Sequence, residues 1–140
     1  MDALLLCLVV AITDGDTLRA RCGDSPEMVV RLAEIDAPEK RQAFGERSRQ
    51  HLAELCFQKR AEIQPRASDR YGRTVARVKC EGRDANAEQV RTGMAWAYTK
   101  YLKDPAIKAL EVDARGAHRG LWADAAPVAP WDWRHPSKGG

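Results

Sequence analysis

The chain has 140 residues, 44% of them hydrophobic and 31% charged, and a net charge of +3. That length holds one domain with a single core, and the balanced composition excludes a disordered, collagenous or coiled-coil chain. The small cationic excess excludes a histone-like polycation; 16 of the 23 basic residues are Arg, the side chain that clamps phosphate in a planar fork, although a GC-rich genome is the simpler source of that skew.

The first apolar run, Ala3–Ile12 (ALLLCLVVAI), is too short to span a bilayer. No basic residues precede it and no small-residue cleavage site follows, so it is not read as a secretion-signal core. It reads as a strand buried on both faces that runs into a turn at Thr13-Asp14-Gly15-Asp16. A chain that opens Met1-Asp2 directly before a strand is expected to have lost a preceding segment, a secretion signal being one candidate.

Thr17–Gly23 alternates apolar and basic residues, as a half-exposed second strand does. Asp24-Ser25-Pro26-Glu27 is a turn. Met28–Ile35 is the third strand, with Arg31 and Glu34 facing opposite ways. Asp36-Ala37-Pro38-Glu39 ends it, because Pro lacks the ladder donor. Glu46–Phe57 is an amphipathic helix with Leu52, Leu55 and Cys56 inward.

Ala61–Gln64 is a short fourth strand, Ser68–Gly72 a polar turn, and Thr74–Cys80 an alternating fifth strand. Asn86–Thr92 is a second helix stopped by Gly93. Asp104-Pro105 caps a third helix, which carries Ile107, Leu110 and Ala114 on one face and ends near Gly120. Residues 125–140 form a Pro/Trp-rich tail, pinned by Trp122, Trp131 and Trp133, with Ser137–Gly140 loose at its end. The domain proper is therefore expected over residues 1–124. Five short strands with an intervening helix fit a small Greek-key barrel of the oligonucleotide-binding (OB) kind.

None of the four cysteines sits in a C-x-x-C pair, which argues against zinc. Cys7 and Cys22 flank Asp14-Gly15 almost symmetrically, while Cys56 ends a helix and Cys80 ends a strand. The expected pairs are Cys7–Cys22 and Cys56–Cys80, which imply an oxidising compartment; four buried thiols are the alternative.

Three clusters carry possible chemistry: Asp14-Gly15-Asp16-Thr17, Arg31 through Glu39, and Asp69-Arg70-Tyr71-Gly72-Arg73. Singly they read as a hairpin turn, a charged edge strand and a solvated turn. Together they hold more. Asp16 and Asp36 offer hard oxygens suited to Ca²⁺ or Mg²⁺. Glu39 can act as a general base on water. Arg31 and Arg73 can hold a phosphodiester and offset charge on its oxygens. Tyr71, Trp96, Tyr98 and Tyr101 can stack on bases. These are the parts of metal-assisted phosphodiester hydrolysis.

The ordered blocks DGDT, RLAEIDAPE, DRYGR and NAEQVRTGMA resemble the staphylococcal nuclease (thermonuclease) family, from about Val9 to about Trp122. The resemblance implies a mainly-β α+β domain, a five-stranded OB barrel with three helices. It implies a Ca²⁺-dependent nuclease of DNA and RNA, single- or double-stranded, that leaves 3′-phosphates. By the same resemblance Asp16, Asp36 and the backbone carbonyl of Ala37 hold the metal, and Glu39, Arg31 and Arg73 are catalytic. Asp14 is an accessory acid near the metal, and Tyr71 and either Tyr98 or Tyr101 contact the nucleotide; Arg70, beside Tyr71 in the DRYGR block, is a further substrate-binding candidate. Ala37 stands where the family has Thr, which spares a backbone ligand. Loss of Arg31, Arg73 or Glu39 is expected to cripple cleavage and leave the fold intact.

The segment between Glu39 and the first helix is shorter than the family prototype's mobile loop. The cysteines and the tail PVAPWDWR resemble the secreted proteobacterial branch of the family, so a secreted or periplasmic monomer without a membrane partner is expected. Two other readings stand beside the nuclease. One is a non-catalytic module binding single-stranded nucleic acid or a peptide through its barrel face, which needs aromatics and basic residues but gains nothing from clustered carboxylates. The other is a partner-binding domain that uses the Pro-Trp tail. His51, His118 and His135 fall outside the blocks and are expected at the surface.

Overall fold

The computed structural model describes residues 4–136; the loose end expected at Ser137–Gly140 lies outside the described residues. In chain order the elements are β1 (Leu5–Asp14), β2 (Thr17–Arg21), β3 (Met28–Leu32), β4 (Ile35–Asp36), α1 (Gly45–Cys56), β5 (Arg60–Ser68), β6 (Thr74–Cys80), β7 (Arg83–Asp84), α2 (Ala85–Arg91), β8 (Trp96–Ala97), α3 (Pro105–Gly116), a 3-10 turn (Gly120–Ala123) and α4 (Pro130–Arg134).

The long strands pair in the order β3-β2-β1-β5-β6, and β3 meets β6 in parallel, closing a five-stranded barrel. Closure leaves no long edge unpaired among the described residues. This is the OB-type α+β fold the sequence pattern predicts. Its inside is filled by Val9, Leu18, Val30, Leu32, Ile63 and Val78, all buried, and Leu52, Leu55 and Cys56 of α1 join that core. No helix among the described residues is long and apolar enough to cross a membrane.

Four expectations are corrected. β1 is not buried on both faces: Cys7 and Val9 point inward, while Leu4, Leu6 and Leu8 are exposed. A barrel strand has one inside and one outside, and an unbroken apolar run hides that alternation.

The third strand stops at Leu32 rather than Ile35. Glu34 takes a left-handed backbone (φ 69°), and Ile35–Asp36 leaves the barrel to pair with Trp96–Ala97. β5 runs on to Ser68, with a register shift between Pro65 and Ala67 where proline has no N–H to give the ladder. Finally, the tail contains a helix, α4, with Pro130 in its first turn, where a missing N–H costs nothing.

Both disulfides are those expected, Cys7–Cys22 and Cys56–Cys80. They close loops of 15 and 24 residues in sequence separation, each worth about 3 kcal/mol by restricting the unfolded chain. The Asp104 carboxylate caps α3 by accepting the Ala106 N–H at 2.9 Å, next to Pro105, as predicted.

Candidate active site

The site is built on two turns that meet at one end of the barrel. The first joins β1 to β2. Gly15 at its tip lies so close to α1 that a Cβ there would overlap Ser48. Gln89 of α2, fully buried, donates from Nε2 to Gly15 O at 2.7 Å and to Ser48 O at 3.0 Å. His51 is half-buried rather than at the surface, and its Nδ1 meets Gln89 Oε1.

The second turn is the reversal after β3. Asn86, also buried, donates from Nδ2 to Ala33 O at 2.9 Å and accepts the Val78 N–H at 3.0 Å. The residues Asn86 and Gln89 of the NAEQV block are thus the clamps of the two turns.

The reversal at Ala33–Glu34 is what lets Arg31 curl back onto its own chain. Its Nη1 donates to Leu32 O at 2.7 Å and Ile35 O at 2.9 Å, and its Nη2 donates to Asp36 Oδ1 at 3.1 Å. The same Nη2 lies 3.5 Å from Asp16 Oδ2. Asp16 Oδ2 accepts the Ala37 N–H at 2.7 Å, and its Oδ1 accepts the Thr17 hydroxyl at 2.9 Å. Glu34 turns the other way, as expected, and accepts the backbone N–H groups of Lys103 and Asp104.

Asp16 and Asp36 are both buried, Asp36 to 1% exposure. Burial, partly offset by the Arg134 hydrogen bond and reinforced by Asp16, pushes the Asp36 carboxyl up to about 6 from its ordinary 3.8. Asp14 is raised as well, by burial first and then by the charge of Asp16. Carboxylates crowded into a dry corner resist ionisation, and a hard cation relieves that repulsion.

The donor set fits such a cation. There are two buried carboxylates, and the Ala37 carbonyl takes no hydrogen bond from the described residues. Sets of three or more His, Cys, Asp or Glu side chains able to hold a metal are absent among the described residues. Water and substrate oxygens would complete the shell, which a hard ion accepts readily.

Glu39 stands on the loop after Asp36. Its N–H donates to Gln42 Oε1 at 3.1 Å, while Gln42 Nε2 donates to Val128 O in the C-terminal segment. That segment supplies a residue the sequence reading missed. Arg134, at the end of α4, donates from Nη1 to Glu39 Oε1 at 2.7 Å and to Asp36 Oδ1 at 3.2 Å, and from Nη2 to Asp36 Oδ2 at 2.7 Å. No local pattern announces a contact made across 98 residues; the Trp residues around it signalled only that the tail is pinned.

The other candidates lie apart from the carboxylates. Arg73 is clasped by Asp69, its Nε donating to Oδ2 at 2.7 Å, and the described contacts do not join it to Asp16, Asp36 or Glu39. Arg70 and Arg73 both lie over the exposed Tyr71 ring, at 5.0 and 5.4 Å from its centroid. This basic, aromatic tip starts β6 beside β3, where Val30 pairs with Thr74.

Tyr98 is stacked parallel on Trp131 with centroids 5.4 Å apart, and Tyr101, exposed, meets it edge-on. Trp96 is not a free platform, because it is buried between Trp122 and Trp131. Trp131 therefore pins the tail, whereas Trp133 is 46% exposed.

The chain is similar to known proteins over most of its length. A family model described as "Staphylococcal nuclease homologue" matches residues 29–124. The chain is 45% identical over 132 residues to a Haemophilus influenzae protein named "Uncharacterized endonuclease", covering 94% of this chain and 74% of that one. It is 42% identical over 141 residues to the "Micrococcal nuclease" of Shigella flexneri, covering 93% and 80% respectively. An Arabidopsis thaliana "Staphylococcal-like nuclease" is 33% identical over 111 residues, covering 79% of this chain and 34% of the relative.

Proposed function

This chain belongs to the staphylococcal nuclease homologue family and is a nuclease, and we propose that it hydrolyses phosphodiester bonds of DNA and RNA in a calcium-dependent reaction that leaves 3′-phosphates. The observation that carries this reading is the gathering of Asp16, Asp36 and Glu39 around guanidinium groups. A protein that only bound phosphate would gain nothing from carboxylates there.

Asp16, Asp36 and the Ala37 carbonyl are the groups that would hold Ca²⁺. When bound, the ion supplies positive charge to a phosphate oxygen. Glu39 orients water and takes its proton as the water attacks phosphorus in line with the leaving oxygen. Arg31 and Arg73 donate to the phosphate oxygens as charge builds on them. Asp14 is the accessory acid beside the metal ligands. Arg70, Tyr71, Tyr98 and Tyr101 contact the nucleotides on either side, the rings by stacking.

The nuclease domain is residues 1–124, and the described residues of the C-terminal segment 125–140 lie against it. One chain supplies every group named, which suits a monomer. The two disulfides favour a secreted or periplasmic site of action.

Cleavage of single-stranded DNA and of RNA, with Ca²⁺ or with a chelator, tests the reading. Cutting that needs Ca²⁺ and leaves 3′-phosphates is expected; tight binding without cutting, indifferent to cation, moves the protein to the binding-module class. The pH dependence is also specified. Folded Asp36 holds its proton up to about pH 6, so its ionisation costs stability as pH rises from about 4 through 6. A ligating carboxylate must be ionised. Calcium affinity measured by calorimetry is therefore expected to fall as pH drops through about 6. An affinity equal at pH values well below and well above that point removes Asp36 from the ligand set.

A further inference from the structure

We propose that Arg134, delivered from the C-terminal segment, is a further catalytic residue that binds the phosphate being cleaved. The inference rests on the nuclease reading, since it takes Glu39 and Asp36 as the water-activating and metal-binding groups. Those two groups act on one phosphate, so a guanidinium 2.7 Å from both lies beside that phosphate as well.

Of the three guanidiniums in question, Arg134 is the one that reaches the carboxylates with its side chain open to solvent, 31% exposed against 12% for Arg31. Arg31 spends both Nη1 hydrogens on Leu32 O and Ile35 O, and one Nη2 hydrogen on Asp36. Arg73 is turned onto Asp69. Arg134 uses Nη1 on Glu39 and Asp36 and one Nη2 hydrogen on Asp36. Its Nε and second Nη2 hydrogen meet no acceptor among the described residues, and its side chain is 31% exposed. A guanidinium with three hydrogens on protein and two adjacent ones open, on Nε and Nη2, matches the planar, bidentate way guanidinium takes phosphate. It also carries a positive charge into a corner that Asp14, Asp16, Asp36 and Glu39 would otherwise make strongly repulsive to a polyanion.

The arm that brings Arg134 is built into the domain. Ala129 and Pro130 are buried. Trp131 stacks on Tyr98 and meets Trp96 edge-on at 5.5 Å. Gln42 ties the backbone of Glu39 to Val128, so the loop of Glu39 and the segment of Arg134 are fastened together. Such anchoring places a side chain for catalysis better than a loose lid does.

The test uses the full chain with Arg134→Ala and Arg134→Lys, and three readouts: kcat and KM on single-stranded DNA with Ca²⁺, affinity for a labelled single-stranded DNA oligonucleotide in chelator, and thermal melting. Arg134→Ala is expected to lose kcat on the order of 10²-fold and to bind the oligonucleotide about tenfold more weakly, as loss of a charge-assisted phosphate contact does. Arg134→Lys, which keeps the charge and loses the fork, is expected to fall between the two while melting with the wild type. Wild-type kcat and oligonucleotide affinity in both variants overturns the proposal. So does faster cutting by Arg134→Ala with undiminished oligonucleotide affinity, which would make the arginine a plug in the cation site. If the wild type does not cut at all, the nuclease reading fails on its own, and the oligonucleotide affinities still decide whether Arg134 holds phosphate.

Discussion

Glu39→Gln is expected to lose kcat by on the order of 10²–10⁴-fold while keeping its melting temperature and nearly its KM. The substitution removes a base and little else. Glu39 is 36% exposed at its side chain, and its only described side-chain partner is Arg134. An amide oxygen at the same place still accepts from that guanidinium, so packing and charge pairing around Asp36 are barely disturbed. What the amide cannot do is take a proton from water. Steady-state kinetics on single-stranded DNA, with a melting curve of the same sample, separates the two effects. A variant that cuts within threefold of wild type would remove Glu39 from its role as base.

Arg31→Ala is expected to cost stability and cleavage together. Sequence alone treats Arg31 as a functional side chain whose loss spares the fold. In the structure it is 12% exposed and pinned between two carbonyls and the buried Asp36. Its removal leaves Leu32 O and Ile35 O without that donor and leaves Asp36 with Arg134 alone. Breaking a buried charge pair from one side costs about 3–5 kcal/mol.

Arg73→Ala makes the contrast. Arg73 is 32% exposed on a turn, so its loss costs about 1 kcal/mol or less. As a proposed phosphate ligand, it is nevertheless expected to lose cleavage by on the order of 10²-fold or more. Urea unfolding of the two variants, beside their kcat values, checks both. Equal stability of Arg31→Ala and wild type would show that the reversal after β3 stands without its arginine. Undiminished cleavage by Arg73→Ala would leave that residue to the turn alone.

Much of the fold is legible because its rules are local. Thr74–Cys80 alternates apolar and polar and is a strand with those bounds. Asp104-Pro105 carries the signal of a helix start and caps α3. Leu52, Leu55 and Cys56 fall on one side of a helical wheel and are buried on α1. Cys7 and Cys22 bracket a turn tight enough to be read as one, so their pairing follows from hairpin geometry.

The candidate site is legible differently, as chemistry in order along the chain: carboxylates, guanidiniums and rings whose types suit a phosphodiester. Their arrangement is not so written. Trp96 and Tyr98 look alike as stacking platforms in the sequence, yet Trp122 and Trp131 bury the first and Trp131 covers a face of the second.

By itself, then, the sequence determined the barrel strands, the helix caps, the cysteine partners and the family. The strands and caps depend on residues a few positions apart, the cysteine partners on the ends of neighbouring elements 15 and 24 residues apart, and the family on blocks in a set order. Only the tertiary structure decided that β3 breaks at a left-handed Glu34, that Gln89 and Asn86 clamp the two turns, and that Arg134 lies on Asp36 and Glu39. Those outcomes depend on which surfaces remain to be buried or paired once the barrel has closed. That competition is settled across the whole chain, and it leaves no period or motif near the residues it positions.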